Sequence, residues 1–288
     1  MRIIKTQPKS VQPQQVIRPS GANSLVLATM PGLARHNFVS AVAPTVVGTA
    51  PTVTGLSVSD YGRDLEIHPS GGSNGIPGLR YGTDTIGTGT DWSFIWIGNP
   101  KNFGNANGIL MTRGSDGFGN GWNLQIGYTN GNSTTGTELT AKVIDSSPAQ
   151  FSLTLTVPSL VVDRHERVAM VKRGTTLKAF DWRSHVTGST SAGNGGLRTS
   201  TLGIALGLDQ LNAPAGHARH NTVLAFAKAL SDYEVWSFLN NPWQLFPVSI
   251  RNYFVEASAV VGGRGLFLPP NLNGLGVGGS FFGDRLAA

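Results

Sequence analysis

From Leu65 onward the apolar residues of this chain recur at every second position, not at every third or fourth. Leu65-Glu66-Ile67, Trp92-Ser93-Phe94-Ile95-Trp96-Ile97, Trp122-Asn123-Leu124-Gln125-Ile126, Leu139-Thr140-Ala141-Lys142-Val143 and Phe151-Ser152-Leu153-Thr154-Leu155-Thr156-Val157 alternate, or nearly so, over single-strand lengths. Period two sends successive side chains to opposite faces of a strand. Further strands are expected at 167–172, 176–182, 202–208 and 223–227. The breaks Gly114-Ser115-Asp116-Gly117, Asn130-Gly131-Asn132 and Gly193-Asn194-Gly195-Gly196 supply residues that tolerate positive φ. About ten short strands with one apolar face each must bury those faces against one another, so the pattern predicts an all-β, two-sheet antiparallel sandwich.

One segment departs from period two. Ser231 and Glu234 have the spacing of a capping box, Leu230 and Val235 that of a hydrophobic staple, and Val235, Phe238 and Leu239 recur on one helical face. A short helix is therefore expected from Ser231, stopped by Asn240-Asn241-Pro242. The ends differ in kind. Residues 1–23 are rich in Gln, Pro and Ser and read as an extended arm. The stretch to residue 54, broken by Pro31, Pro44 and Pro51, reads as edge strands or an extended lead-in. The compact domain is expected at 55–246, and 247–288 as a glycine-rich arm whose Leu and Phe residues suit docking on a neighbour.

Composition sharpens this picture. There are 38 glycines in 288 residues and only 13% charged residues, against roughly 7% glycine and about 25% charge in ordinary soluble domains. Gly-containing turns account for the first, and either burial in subunit contacts or a Ser/Thr/Asn-rich β surface for the second. The first acidic residue is Asp60, after Arg2, Lys5, Lys9, Arg18 and Arg35, so the net charge of +6 is concentrated in the N-terminal arm. These spread charges have no interleaved aromatics, which argues against nucleic acid and for an acidic protein neighbour. No run is long and apolar enough for a membrane span. No apolar h-region follows the first charges, so a secretory signal is not expected. Cysteine is absent, which removes disulfide and thiolate chemistry.

Asp91 to Ile97, Gly108-Ile109-Leu110, Gly121-Trp122-Asn123-Leu124, the run from Val162 to Trp182 and Ala229 to Val235 resemble, in order, the strands of laminin-G-like, concanavalin A-like jelly-roll domains. The family's Trp-His-His position is here Arg164-His165-Glu166 and its Asp-Gly is Asp181-Trp182, so its sugar or calcium site does not carry over. The ending from Leu230-Ser231-Asp232-Tyr233-Glu234 to Asn241-Pro242-Trp243-Gln244-Leu245-Phe246 is similar to that of tailed-phage virion proteins carrying this domain.

The resemblance implies a bacteriophage virion protein, decorating the capsid or associated with the tail and assembled in the host cytoplasm. On this reading the arms attach it to other virion proteins through Arg2, Lys5, Lys9, Arg18, Phe267, Phe281 and Phe282, as a homo-oligomer with the sandwich displayed outward. The alternative is a carbohydrate-binding adhesin in which Trp92, Phe118 and Tyr128 stack on host surface glycans.

Catalysis is not expected. The five glutamates, Glu66, Glu138, Glu166, Glu234 and Glu256, never form the E-x-D-x-x-E strand of this fold's retaining glycosidases. Asp60, Asp64 and Glu66 cluster at what reads as a turn, and His165-Glu166 reads as a turn pair. His217 and His220, three apart, fall on opposite faces of a strand or, in a loop, have no defined geometry, and make a poor metal pair. No catalytic residue, metal or cofactor is predicted.

Overall fold

The computed structural model describes residues 24–29, 31, 37, 39–40, 43–47, 56–59, 62–68, 78–82, 89–103, 108–114, 122–129, 135–144, 150–197, 203–208 and 216–242. Among them run fifteen strands and then a helix. The strands are β1 (Leu25–Thr29), β2 (Thr45–Val46), β3 (Leu56–Ser59), β4 (Gly62–Ile67), β5 (Leu79–Tyr81), β6 (Trp92–Pro100), β7 (Ile109–Gly114), β8 (Trp122–Thr129), β9 (Thr135–Ile144), β10 (Gln150–Val161), β11 (Glu166–Arg173), β12 (Thr176–Asp181), β13 (Val186–Ser191), β14 (Ile204–Leu206) and β15 (Ala218–Phe226). The helix is α1 (Asp232–Asn240).

The strands form two antiparallel sheets. The first has the order β13-β12-β11-β6-β15-β4-β3, with β1 also on β15, and the second β10-β9-β8-β7-β14-β5-β2. β6 pairs with β15 over its whole length, so β4 and β1 share the other flank of β15, at Ala218–His220 and Val223–Phe226 respectively. The lead-in therefore adds β1 to the first sheet and β2 to the second, and the sandwich reaches back to Leu25, before the expected start at residue 55.

Two cores follow from the alternation. Trp92, Phe94 and Trp96 of β6, with Val168 and Met170 of β11, face the second sheet and meet Leu124, Ile126, Leu139, Ala141 and Val143. The opposite face of the same strands carries Ile95, Ile97, Ala169 and Val171, which pack with Leu224, Phe226 and the Val235-Phe238-Leu239 stripe of α1. Every residue of β6 is buried, which explains a sequence nearly continuous in apolar residues where a one-sided strand would alternate. The strand also needs glycine at 98. A Cβ there would lie 2.1 Å from the Arg219 carbonyl and 2.8 Å from the Trp96 ring.

α1 is capped at both ends. Ser231 Oγ accepts the Glu234 N–H at 3.3 Å and Glu234 Oε2 accepts the Ser231 N–H at 2.8 Å, the reciprocal pair that the spacing predicts. No basic residue stands in the last turn of the helix. The cation comes from β11 instead, where Arg167 Nη1 donates to the Leu239 and Asn240 carbonyls at 2.5 and 3.0 Å. That satisfies acceptors that a helix end leaves open and places positive charge at its negative pole.

Ser231→Ala removes one arm of the box and is expected to cost about 1 kcal/mol. Urea unfolding should show a lower midpoint with an unchanged slope. A midpoint equal to that of the wild type would mean that tertiary packing alone holds the helix start.

Candidate functional site

α1 lies on the first sheet alongside β12 and leaves a strip of side chains between itself and the edge strand β13. Asp232, Trp236 and Asn240 recur every fourth residue and line the helix side of this strip. Asp232 pairs with Lys178 of β12 at 2.9 Å. Trp236 meets the buried Phe180 edge to face at 5.7 Å and the exposed His185 ring, tilted, at 5.9 Å. Asn240 Oδ1 accepts the Trp182 indole N–H at 2.8 Å, while the Arg167 guanidinium stacks 4.3 Å from the Trp182 ring. Trp182 and Trp236 stay half-exposed, and Tyr233, one turn before Trp236, is 83% exposed.

The far side of the strip is polar. Thr187, Ser189 and Ser191 of β13 are exposed and pair in register with Phe180, Lys178 and Thr176. His185 holds a φ of 55°, unusual for a residue with a side chain. Such conformations collect where a ligand or a tight turn fixes the backbone. The strip thus joins two indoles, an imidazole, an ion pair and a hydroxyl row on one surface.

The acids and histidines singled out from sequence lie elsewhere and are engaged. Glu66 takes His217 Nε2 and Arg219 Nε, each at 3.0 Å, and these hydrogen bonds hold its carboxyl down at about 2. It is an ionised anchor, not a proton donor. Asp64 is buried and accepts Asn221 Nδ2 at 2.7 Å and Asn99 Nδ2 at 3.4 Å. Asp163, in a left-handed turn, receives Lys101 and lies 3.6 Å from Arg219 Nη1, pinning the β10–β11 turn to the ends of β6 and β15. His217 points to Glu66, whereas His220 is fully buried and accepts the Trp96 indole N–H on Nδ1 at 2.8 Å. The spacing of three divides the two between opposite faces. Among the described residues no three His, Asp or Glu side chains gather as metal ligands.

Two expected stacking residues are corrected. Trp92 is 0% and Tyr128 1% exposed, so neither offers a ring face to a solute. Trp92 packs edge-on against Phe94 at 5.4 Å. Tyr128 packs against Phe103 at 5.4 Å and its hydroxyl donates to Asp181 at 3.4 Å, because both rings lie on the inward face of their strands. Phe118 lies outside the described residues, as do Arg2, Lys5, Lys9, Arg18, Phe267, Phe281 and Phe282. The residues that sequence reasoning passed over are Trp182, His185, Tyr233 and Trp236. A signal was present in α1: Tyr233 and Trp236 are aromatic yet fall outside the buried Val235-Phe238-Leu239 stripe, Tyr233 towards solvent and Trp236 at the margin of the core.

No known family profile and no curated protein matches the sequence. Solved structures do. The binding domain of Paraclostridial Mosquitocidal Protein 1 superposes with a TM-score of 0.54 at 12% identity over 77% of this chain and 53% of that one. Domain 4 of AbnA, an extracellular arabinanase from Geobacillus stearothermophilus in complex with arabinotriose, gives 0.54 at 12% identity over 75% of this chain and 98% of that one. The binding domain of botulinum neurotoxin DC in complex with SialylT gives 0.51 at 12% identity, 77% and 52%. The chain spans about half the length of the toxin binding domains and nearly all of the arabinanase domain. At these identities the likeness is one of fold, that of β-sandwich binding domains. No helix among the described residues is long and apolar enough to cross a membrane.

The buried titratable groups give a pH signature. Burial pulls both His220 and His165 from 6.5 down to about 3, reinforced at His165 by the Arg167 and Arg183 guanidiniums. The unfolded chain therefore binds protons below pH 6.5 that the native state refuses, and stability falls as pH drops from 6.5 towards 3. Each histidine contributes a slope of up to ~1.4 kcal/mol per pH unit. Glu166 acts in the opposite sense. Burial pushes it from 4.5 up to about 7, so its contribution is full below 4.5 and is lost as pH rises to 7. His220→Gln keeps an acceptor for Trp96 and should flatten the acid limb of a stability–pH curve by one proton. An unchanged slope would mean that His220 is not held neutral.

Proposed function

We propose that the sandwich is a carbohydrate-binding module and that the glycan seats on the strip between α1 and β13. The observation that carries this reading is the placement of the half-exposed Trp182 and Trp236 indoles and the His185 ring on one surface beside exposed hydroxyls. A sugar ring has an apolar C–H face and a polar rim. Indoles accept the first, being large, rigid and amphipathic. Asp232, Lys178 and the Thr187-Ser189-Ser191 row offer acceptors and donors to the second. The Lys178–Asp232 pair leaves this strip without a dominant charge, which suits a neutral sugar. The fold supports the reading, since domain 4 of the arabinanase matches nearly end to end and holds arabinotriose.

On this proposal the module binds without cleaving: Glu66 is tied to His217 and Arg219, and Glu166 to Arg183. A second reading places the same sandwich on a bacteriophage particle, as capsid decoration or a tail-associated part attached by its terminal arms to other virion proteins. It is supported by the resemblance of the ending from Leu230 to Phe246. The two are compatible, because a displayed glycan-binding sandwich suits attachment to a host surface.

Binding to a panel of neutral oligosaccharides, arabino-oligosaccharides included, should be measurable by calorimetry, with the ligand recovered intact. Trp236→Ala and Trp182→Ala should each weaken it about tenfold, equivalent to ~1.4 kcal/mol. Thr154→Ala, exposed on the second sheet, should change nothing. Equal affinity in wild type and Trp236→Ala would remove the strip as the site.

A further inference from the structure

The first sheet ends on β13 and the second on β10, and these two ends lie on one side of the sandwich: a Cβ built on Gly188 of β13 would stand 2.5 Å from the Leu155 side chain of β10. Neither strand carries a charge, over Val186–Ser191 or over Gln150–Val161. Natural edge strands are blunted by a charge, a proline, a bulge or shortness, because their open backbone groups otherwise pair with another chain. β10 has a proline, Pro158, and a register shift between Thr156 and Leu160. The opposite ends of the two sheets are short, four residues in β3 and two in β2. β13 has none of these safeguards. Its six residues stay in unbroken register with β12 and include no proline.

The ladder fixes which backbone groups of β13 are open. The Ala192 N–H donates to the Thr175 carbonyl at 2.7 Å, one step beyond the Ser191–Thr176 pair of the β12–β13 register. Antiparallel bonding alternates along a strand, so Thr190, Gly188 and Val186 also bond towards β12. Thr187, Ser189 and Ser191 then turn their N–H and C=O groups outward. Their side chains are exposed, on the face opposite the one that Gly188 presses against Leu155.

We propose that β13 pairs with β13 of a second copy of this chain, antiparallel about a two-fold axis at Ser189, and so joins the first sheets of two molecules into one. In that register Ser189 faces its own copy and Thr187 faces Ser191, as a self-complementary interface requires. The outward residues of the two strands exchange about six backbone hydrogen bonds. Thr and Ser side chains directly opposite one another add bonds across the strands, and no like charges meet. The helices leave room for the pairing. α1 covers β6 and β11, and the two β11 strands of the pair lie about 24 Å apart at the usual strand spacing, against a helix diameter of about 10–12 Å. Contact along strand edges is small for a specific interface, ~1,000 Å² in total, so the pair is a weak dimer that grows with concentration. Its consequence for binding rests on the carbohydrate reading: the Thr187-Ser189-Ser191 rows of the two copies lie side by side, and the two indole strips share one floor for a longer neutral glycan.

Sedimentation velocity of the full chain over roughly 1–500 µM tests the pairing without any sugar. Wild type should pass from monomer to dimer. Ser189→Lys should stay monomeric at every concentration, and so should Ser189→Asp, because each sets like charges opposite one another at the axis. An equimolar mixture of the two variants should restore a dimer, which loss of folding in either could not do. The chain has no cysteine of its own. Ser189→Cys should therefore close a disulfide only between two copies, whose facing Cα atoms stand ~5.5 Å apart, while Thr187→Cys, about 14 Å from its own copy, should not. The proposal is overturned if wild type stays monomeric, if Ser189→Lys dimerises like wild type, if the mixture stays monomeric, or if Thr187→Cys crosslinks as readily as Ser189→Cys. A wild type that dimerises yet binds no glycan would sink the carbohydrate reading and leave the pairing standing.

Discussion

Burial of β6 on both faces is the constraint on which the rest of the structure depends. β6 lies between β11 and β15, so its backbone groups are spent within the sheet. Its side chains supply two cores at once: Trp92, Phe94 and Trp96 to the space between the sheets, Ile95 and Ile97 to the space beneath α1. A sheet covered on one side only would leave Ile95, Ile97, Ala169, Val171, Leu224 and Phe226 to water. Burial of a side chain of the Val, Leu, Ile or Phe kind contributes roughly 1.5–3 kcal/mol. The nine-residue helix is therefore a required part of the core, although it would be too short to persist alone.

The same requirement builds the aromatic strip. Because α1 must lie over β11 and β6, its flank faces β12 and β13, and Trp236 comes against Phe180 and His185. Arg167 does two jobs there. Its guanidinium closes the helix C-terminus and supports the Trp182 ring, whose indole N–H returns to Asn240. The orientation of one indole is thereby tied to the capping of the helix that carries the other. A recognition surface on such paired elements is preorganised, and little side-chain freedom remains to be lost on binding.

The polar residues of the first sheet hold its strand ends together. Glu66, Asp64, Asp163 and Arg219 tie the ends of β4, β6 and β15 to the β10–β11 turn, and His220 sits neutral beneath Trp96. Their altered proton affinities come from burial and from charge partners inside a network, which mark an active site only when reactive groups converge. Among the described residues Arg80 stands apart, half-buried with an unpaired Nε.

The sequence by itself determined the local structure. Period two in Leu139–Val143 and Phe151–Val157 yields β9 and β10, and Ser231 with Glu234 starts the helix where the capping box is found. These signals are legible because backbone geometry and capping act over a few residues. It missed β13, whose Val-Thr-Gly-Ser-Thr-Ser has little apolar alternation because an edge strand buries only one side weakly. It also took Trp92 and Tyr128 for exposed rings. Whether an aromatic at a strand position faces water or core depends on which sheet covers it, and that is a contact between residues far apart in the chain. The strip shares this dependence. Trp236 meets Phe180 across 56 residues and Trp182 meets Asn240 across 58, so only the tertiary structure brings that surface together.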